Sequence, residues 1–323
     1  MIVILNGIFL IGWIALLYFS GKAMVGSLHK ISVFFRLNEI VVAFFVMATV
    51  ASLPNLFVGI SAAIGGIPQL SFGDISGGNV VDLTLALGLA AILSVKGRIP
   101  AKEKTPRMTA FFAGAAGLLP FILTVDGSLS RPDGLVLILA FVLYVVWIFG
   151  KRERFEKIYS PKGEGQVKRK EILKEMMKLA VAIVGLIVAS NGIVVEATVI
   201  SLSIGIAAGM IGLLVVGLGN ALPETYMSIL AVRKGEGDLV LGNLLGSVIT
   251  PSLLVLGIVA LIHPFEIIDT SAFLITRFFL IIAIIFVIPF IWTDRKISRK
   301  EGLVLIVIYF AFLASEIVKI FIG

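Results

Sequence analysis

Two stretches of this chain repeat each other 169 positions apart, and each interrupts an apolar segment with glycine, proline and polar residues. The first reads Ser52-Leu53-Pro54-Asn55, then Gly73-Asp74-Ile75-Ser76-Gly77-Gly78-Asn79-Val80-Val81-Asp82. The second reads Ala221-Leu222-Pro223-Glu224, then Gly242-Asn243-Leu244-Leu245-Gly246-Ser247-Val248-Ile249-Thr250-Pro251. Leu53, Pro54, Gly73, Gly77 and Gly88 fall on Leu222, Pro223, Gly242, Gly246 and Gly257 without a gap. The fold must therefore be built twice from the same parts. Gly/Pro-interrupted hydrophobic segments at matching places in two halves point to the binding site of a transporter.

The solvent for these halves is lipid. Hydrophobic residues make up 59% of the chain and charged residues 15%, against about 45–50% and 25% in soluble domains, and the mean hydropathy is +1.10. Apolar runs long enough to cross a bilayer, about 20 residues each, lie near 2–21, 38–65, 72–95, 108–125, 132–149, 172–192, 206–232, 239–262, 271–293 and 302–322. The boundary between the sixth and seventh is vague, because 192–209 carries a single charge, Glu196. The first run follows no basic segment and is too long for a signal peptide, so it is expected to stay as a span. With no cysteine, disulfides, thiolate metal sites and thiol catalysis are excluded. His29 and His263 fall at loop edges and read as solvated interface residues.

A net charge of +7 does not signal nucleic acid, because the positions of the basic residues follow the spans. In a ten-span chain, 24 of the 27 lysines and arginines fall on one side, leaving Arg131, Arg277 and Lys319 on the other. The positive-inside rule then puts both termini outside a cell membrane, with the basic loops against anionic lipid. The copies begin in spans 2 and 7, an odd separation, so they cross in opposite directions. The expected fold is an all-α membrane protein with ten transmembrane helices in two inverted-topology five-helix repeats. These are residues 1–150 and 172–323, joined by a cytoplasmic linker at 151–171 that is basic, polar and Gly/Pro-bearing.

The chemistry sits in the repeats. A proline has no N–H, so Pro54 frees the carbonyl of Val50 and Pro223 that of Gly219. At membrane depth such a carbonyl is tolerated where it meets protein, water or an ion, and hard cations take oxygen ligands. A packing kink would explain one proline; two at equivalent positions, each followed by a polar side chain (Asn55, Glu224), favour an ion site. Glu224 lies nine residues from Arg233 and 28 from Glu196, and Asp82 precedes an uncharged run to Val95. An acid at mid-membrane costs roughly 2.5–3.5 kcal/mol to insert and is functional by default. Asp74, at the start of span 3, has the alternative of reaching outer water. Glycines at four-residue spacing allow close helix approach, so spans 2, 3, 7 and 8 are expected to cluster, with Pro54 facing Pro223.

At these residues the chain resembles the calcium/cation antiporter superfamily, in particular its sodium/calcium exchanger branch. The repeats of that family read Gly-Thr-Ser-Leu-Pro-Glu in spans 2 and 7, then Gly-Asn-x-x-Gly-Ser-Asn-x-x-Asn/Asp in spans 3 and 8. Ser52-Leu53-Pro54 and Leu222-Pro223-Glu224 match the first element; Gly73, Gly77, Asn79 and Asp82, with Gly242, Asn243, Gly246 and Ser247, match the second. The departures are Asn55 for the first glutamate, Ala51 and Asn220 for the threonines, Ala221 and Gly78 for serines, and Pro251 for the acid or amide of span 8. The resemblance implies ten spans, secondary cation antiport and no cofactor, the cations being substrates.

Two carboxylates in a dry site repel and are balanced by one divalent ion, two monovalent ions or protons. Alternate occupancy by competing cations is the logic of an antiporter. Asp82, Glu224, the amide oxygens of Asn55 and Asn220, Ser52, Ser247 and the carbonyls of Val50 and Gly219 supply the about six to eight oxygens that calcium takes. With fewer hydroxyls than the family, a proton stands beside sodium as the counter-ion. The competing readings are a non-transporting relative acting as scaffold or sensor, and an intramembrane aspartyl protease. The second lacks the Tyr-Asp partner that such proteases need.

Overall fold

The structure, a computed structural model, describes residues 2–34, 52–101, 104–149, 169–233, 235, 237–267, 270–293 and 295–322. Nine described helices are long and apolar enough to cross a membrane, and a shorter apolar helix, Leu53–Ile64, belongs to span 2. The first part of span 2, residue 150 and residues 151–168 of the linker lie outside the described residues.

Span 1 is the helix Ile2–Phe34 and span 6 the helix Arg169–Ile204, both longer than the sequence reading. The vague end of span 6 falls at Gly205, whose φ of +70° stops the helix as only glycine does cheaply. Span 3 runs Gln69–Leu93 and span 7 Ala208–Arg233. Span 8 is built of Gly237–Thr250, Pro251–Val255 and Leu256–Ile262. Spans 4, 5, 9 and 10 are Lys104–Leu123, Arg131–Phe149, Thr270–Thr293 and Arg299–Ile322.

The repeat is visible in the backbone. Span 3 widens into a π-helical turn at Asp82–Ala86 and span 8 does so at Pro251–Val255, again 169 residues apart. In span 8 the cause is Pro251, which has no N–H to continue the α-helical ladder. In span 3 the Thr84 hydroxyl donates to the Val80 carbonyl and competes with the backbone for it. Pro120 in span 4 and Pro289 in span 9 are a further pair at the same offset. Spans 5 and 10 both begin with a side chain that accepts from the N-cap backbone, Asp133 from Ser130 at 2.8 Å and Glu301 from Ser298 at 2.6 Å, a capping box in each half.

The halves are interleaved. Strand β1 (Arg98–Pro100), after span 3, pairs antiparallel with β4 (Lys296–Ser298), after span 9; β2 (Ser128–Leu129), after span 4, pairs with β3 (Phe265–Glu266), after span 8. Each pair joins loops that a ten-span count puts on one side of the membrane, so the parity of the spans holds. Span 3 crosses span 10 of the other half at Gly88 and Gly302, where an ideal Cβ on either would lie 2.7–2.8 Å from the other's carbonyl oxygen. Span 8 crosses span 5 in the equivalent way at Gly257 and Gly134, at 3.0 and 2.8 Å. Spans 3 and 8 form the centre: 78% and 67% of their apolar windows are buried, against 50% or less for every other span measured among the described residues. A second apolar cluster, including Leu10, Leu17, Ala182, Leu186 and Ile193, fills the contact of the long spans 1 and 6.

Candidate functional site

Span 7 lies on span 3 at backbone contact. An ideal Cβ on Gly73 would fall 1.9 Å from the Gly209 carbonyl oxygen, and one on Gly77 would fall 2.1 Å from that of Leu213. Only glycine permits such an approach, and it brings the polar residues of the two spans face to face inside apolar surroundings.

Side chains then tie three central spans together. Ser247 of span 8 donates to Asp82 Oδ2 of span 3 at 2.5 Å. Asn79 of span 3 donates to Ser252 of span 8 at 2.8 Å, both buried. Asn220 of span 7 donates through Nδ2 to both oxygens of Asp74, at 2.9 and 3.1 Å. Asn243 of span 8 reaches Ser228 of span 7 at 3.4 Å. The described helix of span 2 packs against spans 3, 6 and 8, so the expected cluster of spans 2, 3, 7 and 8 is present.

Two carboxylate oxygens in this cluster are left without a partner among the described residues. Asp82 is 4% exposed and its Oδ1 accepts no hydrogen bond; Oε2 of Glu224 is also buried and unpaired. The turn Asp82–Ala86 packs against the helix Gly217–Arg233 that carries Glu224, so the acids of the two halves share one neighbourhood. Among the described residues the ion pairs are Lys30–Glu175 and Lys178–Glu175, at 2.9 and 3.1 Å, and neither touches the site. A buried carboxylate without a counter-charge costs several kcal/mol. Protons or other cations from solution are what can neutralise such an arrangement.

The other expected ligands sit as follows. Ser52 is buried at the start of the described helix of span 2, and Asn55 is half-buried in its first turn. Pro54 occupies that first turn, where its missing N–H costs nothing, and its ring lies 2.9 Å from where Gly21 of span 1 would carry a Cβ. The Val50 carbonyl, and the side chain of Pro223 that Pro54 was expected to face, lie outside the described residues. Gly219 lies within the helix Gly217–Arg233, packed on Ile14 of span 1, and its carbonyl has no N–H to meet at Pro223.

The structure decides between the two readings of Asp74. Asp74 does not reach outer water: it is 1% exposed, because the glycines of span 7 let that backbone close over it, an ideal Cβ on Gly217 falling 2.6 Å from the Asp74 carbonyl oxygen. Ser252 was not anticipated. Its only signal was its place beside Pro251, the counterpart of Asp82.

Comparison with known proteins bears on this geometry. The profile of the family described as "Sodium/calcium exchanger protein" matches residues 5–150 and 175–318. Inner membrane protein YrbG of Escherichia coli (strain K12) is 28% identical over 270 residues, covering 80% of each chain. Sodium/calcium exchanger MaX1 of Methanosarcina acetivorans is 26% identical over 338 residues, covering 85% of this chain and 88% of MaX1. The sodium-calcium exchanger NCX_Mj, in a solved structure soaked with 2.5 mM Na+ and 10 mM Sr2+, matches with a TM-score of 0.63 at 26% identity, covering 97% of this chain and 99% of that one.

Proposed function

Because the chain belongs to the sodium/calcium exchanger protein family, and is therefore a multi-pass membrane cation antiporter and not an enzyme, we propose that it exchanges calcium, or another divalent cation, for sodium or protons by alternating access. Membership speaks against the intramembrane protease; the competing reading of a non-transporting relative acting as scaffold or sensor predicts no uptake in the experiment below. The observation that carries the substrate reading is the pair of carboxylates, Asp82 from the first half and Glu224 from the second, each with a buried oxygen that no group among the described residues satisfies.

In this reading one divalent ion balances both charges at once. Two monovalent ions or protons balance them as well, so the two kinds of occupant compete and the site is not left charged and dry. Asp82 and Glu224 supply the charge. The amide oxygens of Asn55 and Asn220, the hydroxyls of Ser52 and Ser247 and the carbonyls of Val50 and Gly219 supply neutral oxygens, which suits a hard cation. Ser247 also holds Asp82 in place through its other oxygen.

The rest of the reading concerns placement. Residues 1–150 and 172–323 form the repeats and 151–171 the cytoplasmic linker, with both termini outside the cell membrane and the basic loops on the inner, anionic leaflet. Radioactive calcium uptake into proteoliposomes, driven in parallel by an outward sodium gradient and by a proton gradient, tests the substrate and identifies the counter-ion. Uptake under one gradient supports the reading; none under either, in folded and inserted protein, overturns it.

A further inference from the structure

We propose that Asp74 is a positioning residue: it holds the Asn220 amide in the one orientation that turns its oxygen toward the ion site. This rests on the reading of Asp82 and Glu224 as that site.

The geometry is one-sided. A carboxylate only accepts, and the nitrogen of an amide only donates, so contacts of 2.9 and 3.1 Å from Asn220 Nδ2 to the two Asp74 oxygens fix which end of the amide lies where. The amide oxygen diverges from the nitrogen and points away from Asp74. Asn220 precedes Glu224 by one helical turn and shares its face of span 7, which is where a cation ligand is needed. Asp74 is 1% exposed, so water does not compete with the amide for its oxygens. Spans 3 and 7 are locked by their glycines at the same level, an ideal Cβ on Gly212 falling 2.9 Å from the Asp74 nitrogen. The pair therefore has a fixed spacing.

The sequence supplies an independent reason. Asp74 stands at the asparagine of the Gly-Asn element, and Asn220 stands at the threonine of the Gly-Thr-Ser element. Both depart from the pattern, Asp74 in addition to the departures named above, and the structure brings the two into contact across the halves. A threonine hydroxyl offers an oxygen however it rotates, whereas an asparagine turned the wrong way aims two N–H groups at a cation. An asparagine at 220 thus requires a group that takes its nitrogen, and the carboxylate at 74 is that group. Partners that orient a ligand in this manner typically govern affinity by 10–100-fold.

The test is a cycle of four chains, wild type, Asp74→Asn, Asn220→Thr and the double variant, each reconstituted and measured for KM and maximal rate of calcium uptake. Asp74→Asn puts a neutral amide at 74 that can present either end, and should raise KM on the order of 10-fold with little change in maximal rate. In the Asn220→Thr chain, where no amide needs turning, the same substitution should change KM by less than about 2-fold. An equal rise in KM in both backgrounds, or no rise in either, overturns the proposal. A purely structural role would lower the amount of folded protein in both backgrounds and leave KM alone. If Asp74→Asn fails to insert, Asp74→Glu and Asp74→Gln make the same comparison at equal length, the glutamate keeping the lower KM. Glu224→Gln anchors the reading beneath: full uptake in that variant sinks the ion site itself. Lost uptake together with additive effects at 74 and 220 sinks only the role of Asp74.

Discussion

Spans 3 and 8 have the same backbone and opposite chemistry. Both widen into a π-helical turn at equivalent positions, yet the first residue of the turn is Asp82 in one and Pro251 in the other. The second span of each repeat shows the reverse: Asn55 stands in span 2 where Glu224 stands in span 7. Each half thus keeps one acid and loses the other, on different helices. Symmetry of the backbone sets where oxygens can be placed, and the side chains decide which places carry charge. A proline at 251 preserves the local helix opening while removing the carboxylate, so the shape of the site survives a change in its charge.

The largest effect expected from breaking this comparison is on transport. Asp82→Asn and Glu224→Gln should each abolish divalent cation flux, although they lie in different halves, because one remaining carboxylate does not balance a divalent ion in a dry site. Flux measured in proteoliposomes of equal protein content checks this, and survival in one variant would mean that one half alone forms the site.

The next effect is on assembly. Gly77→Ala should destabilise the protein by more than about 3 kcal/mol, since its Cβ would sit 2.1 Å from the Leu213 carbonyl oxygen. Gly88→Ala and Gly257→Ala, the symmetry-related crossings of spans 3 and 8, should cost less and similar amounts, about 1–3 kcal/mol each, read as shifts in thermal unfolding in detergent. Unequal costs would show that the repeats pack differently where the backbone makes them alike.

The smallest effect sharpens the comparison by restoring an acid. Asn55→Asp should keep the protein folded and transporting, with calcium KM unchanged or lowered a few-fold by the added charge. A complete loss of uptake would mean that Asn55 faces away from the site.

Much of this architecture was legible because the repeat is a gapless pattern of glycines and prolines, residues whose backbone consequences are strong. The apolar runs gave the span count, the offset of 169 matched spans 2 and 3 to spans 7 and 8, and the odd spacing gave the inversion. The pairing of β1 with β4 and β2 with β3 agrees with that count. What escaped were features set by neighbours distant in sequence. Nothing local to Asp74 says that Gly212 and Gly217 of the other half will cover it, and a position near a span's end is compatible with outer water as well as with burial. Ser252 became visible only once Asn79 was seen to reach it. The length of span 6 was lost because Glu196, the one charge near its end, does not interrupt the helix, whereas Gly205 does.

The central claim is that carboxylates from both halves hold one divalent ion, and ligand-dependent stability tests it most directly. A ligand that binds the folded state raises stability by an amount that grows with its concentration. Thermal unfolding of the purified protein in detergent should shift upward as calcium is titrated, and Asp82→Asn and Glu224→Gln, both folded, should unfold at temperatures independent of calcium. A calcium-dependent shift in either variant as large as in the wild type would contradict the account.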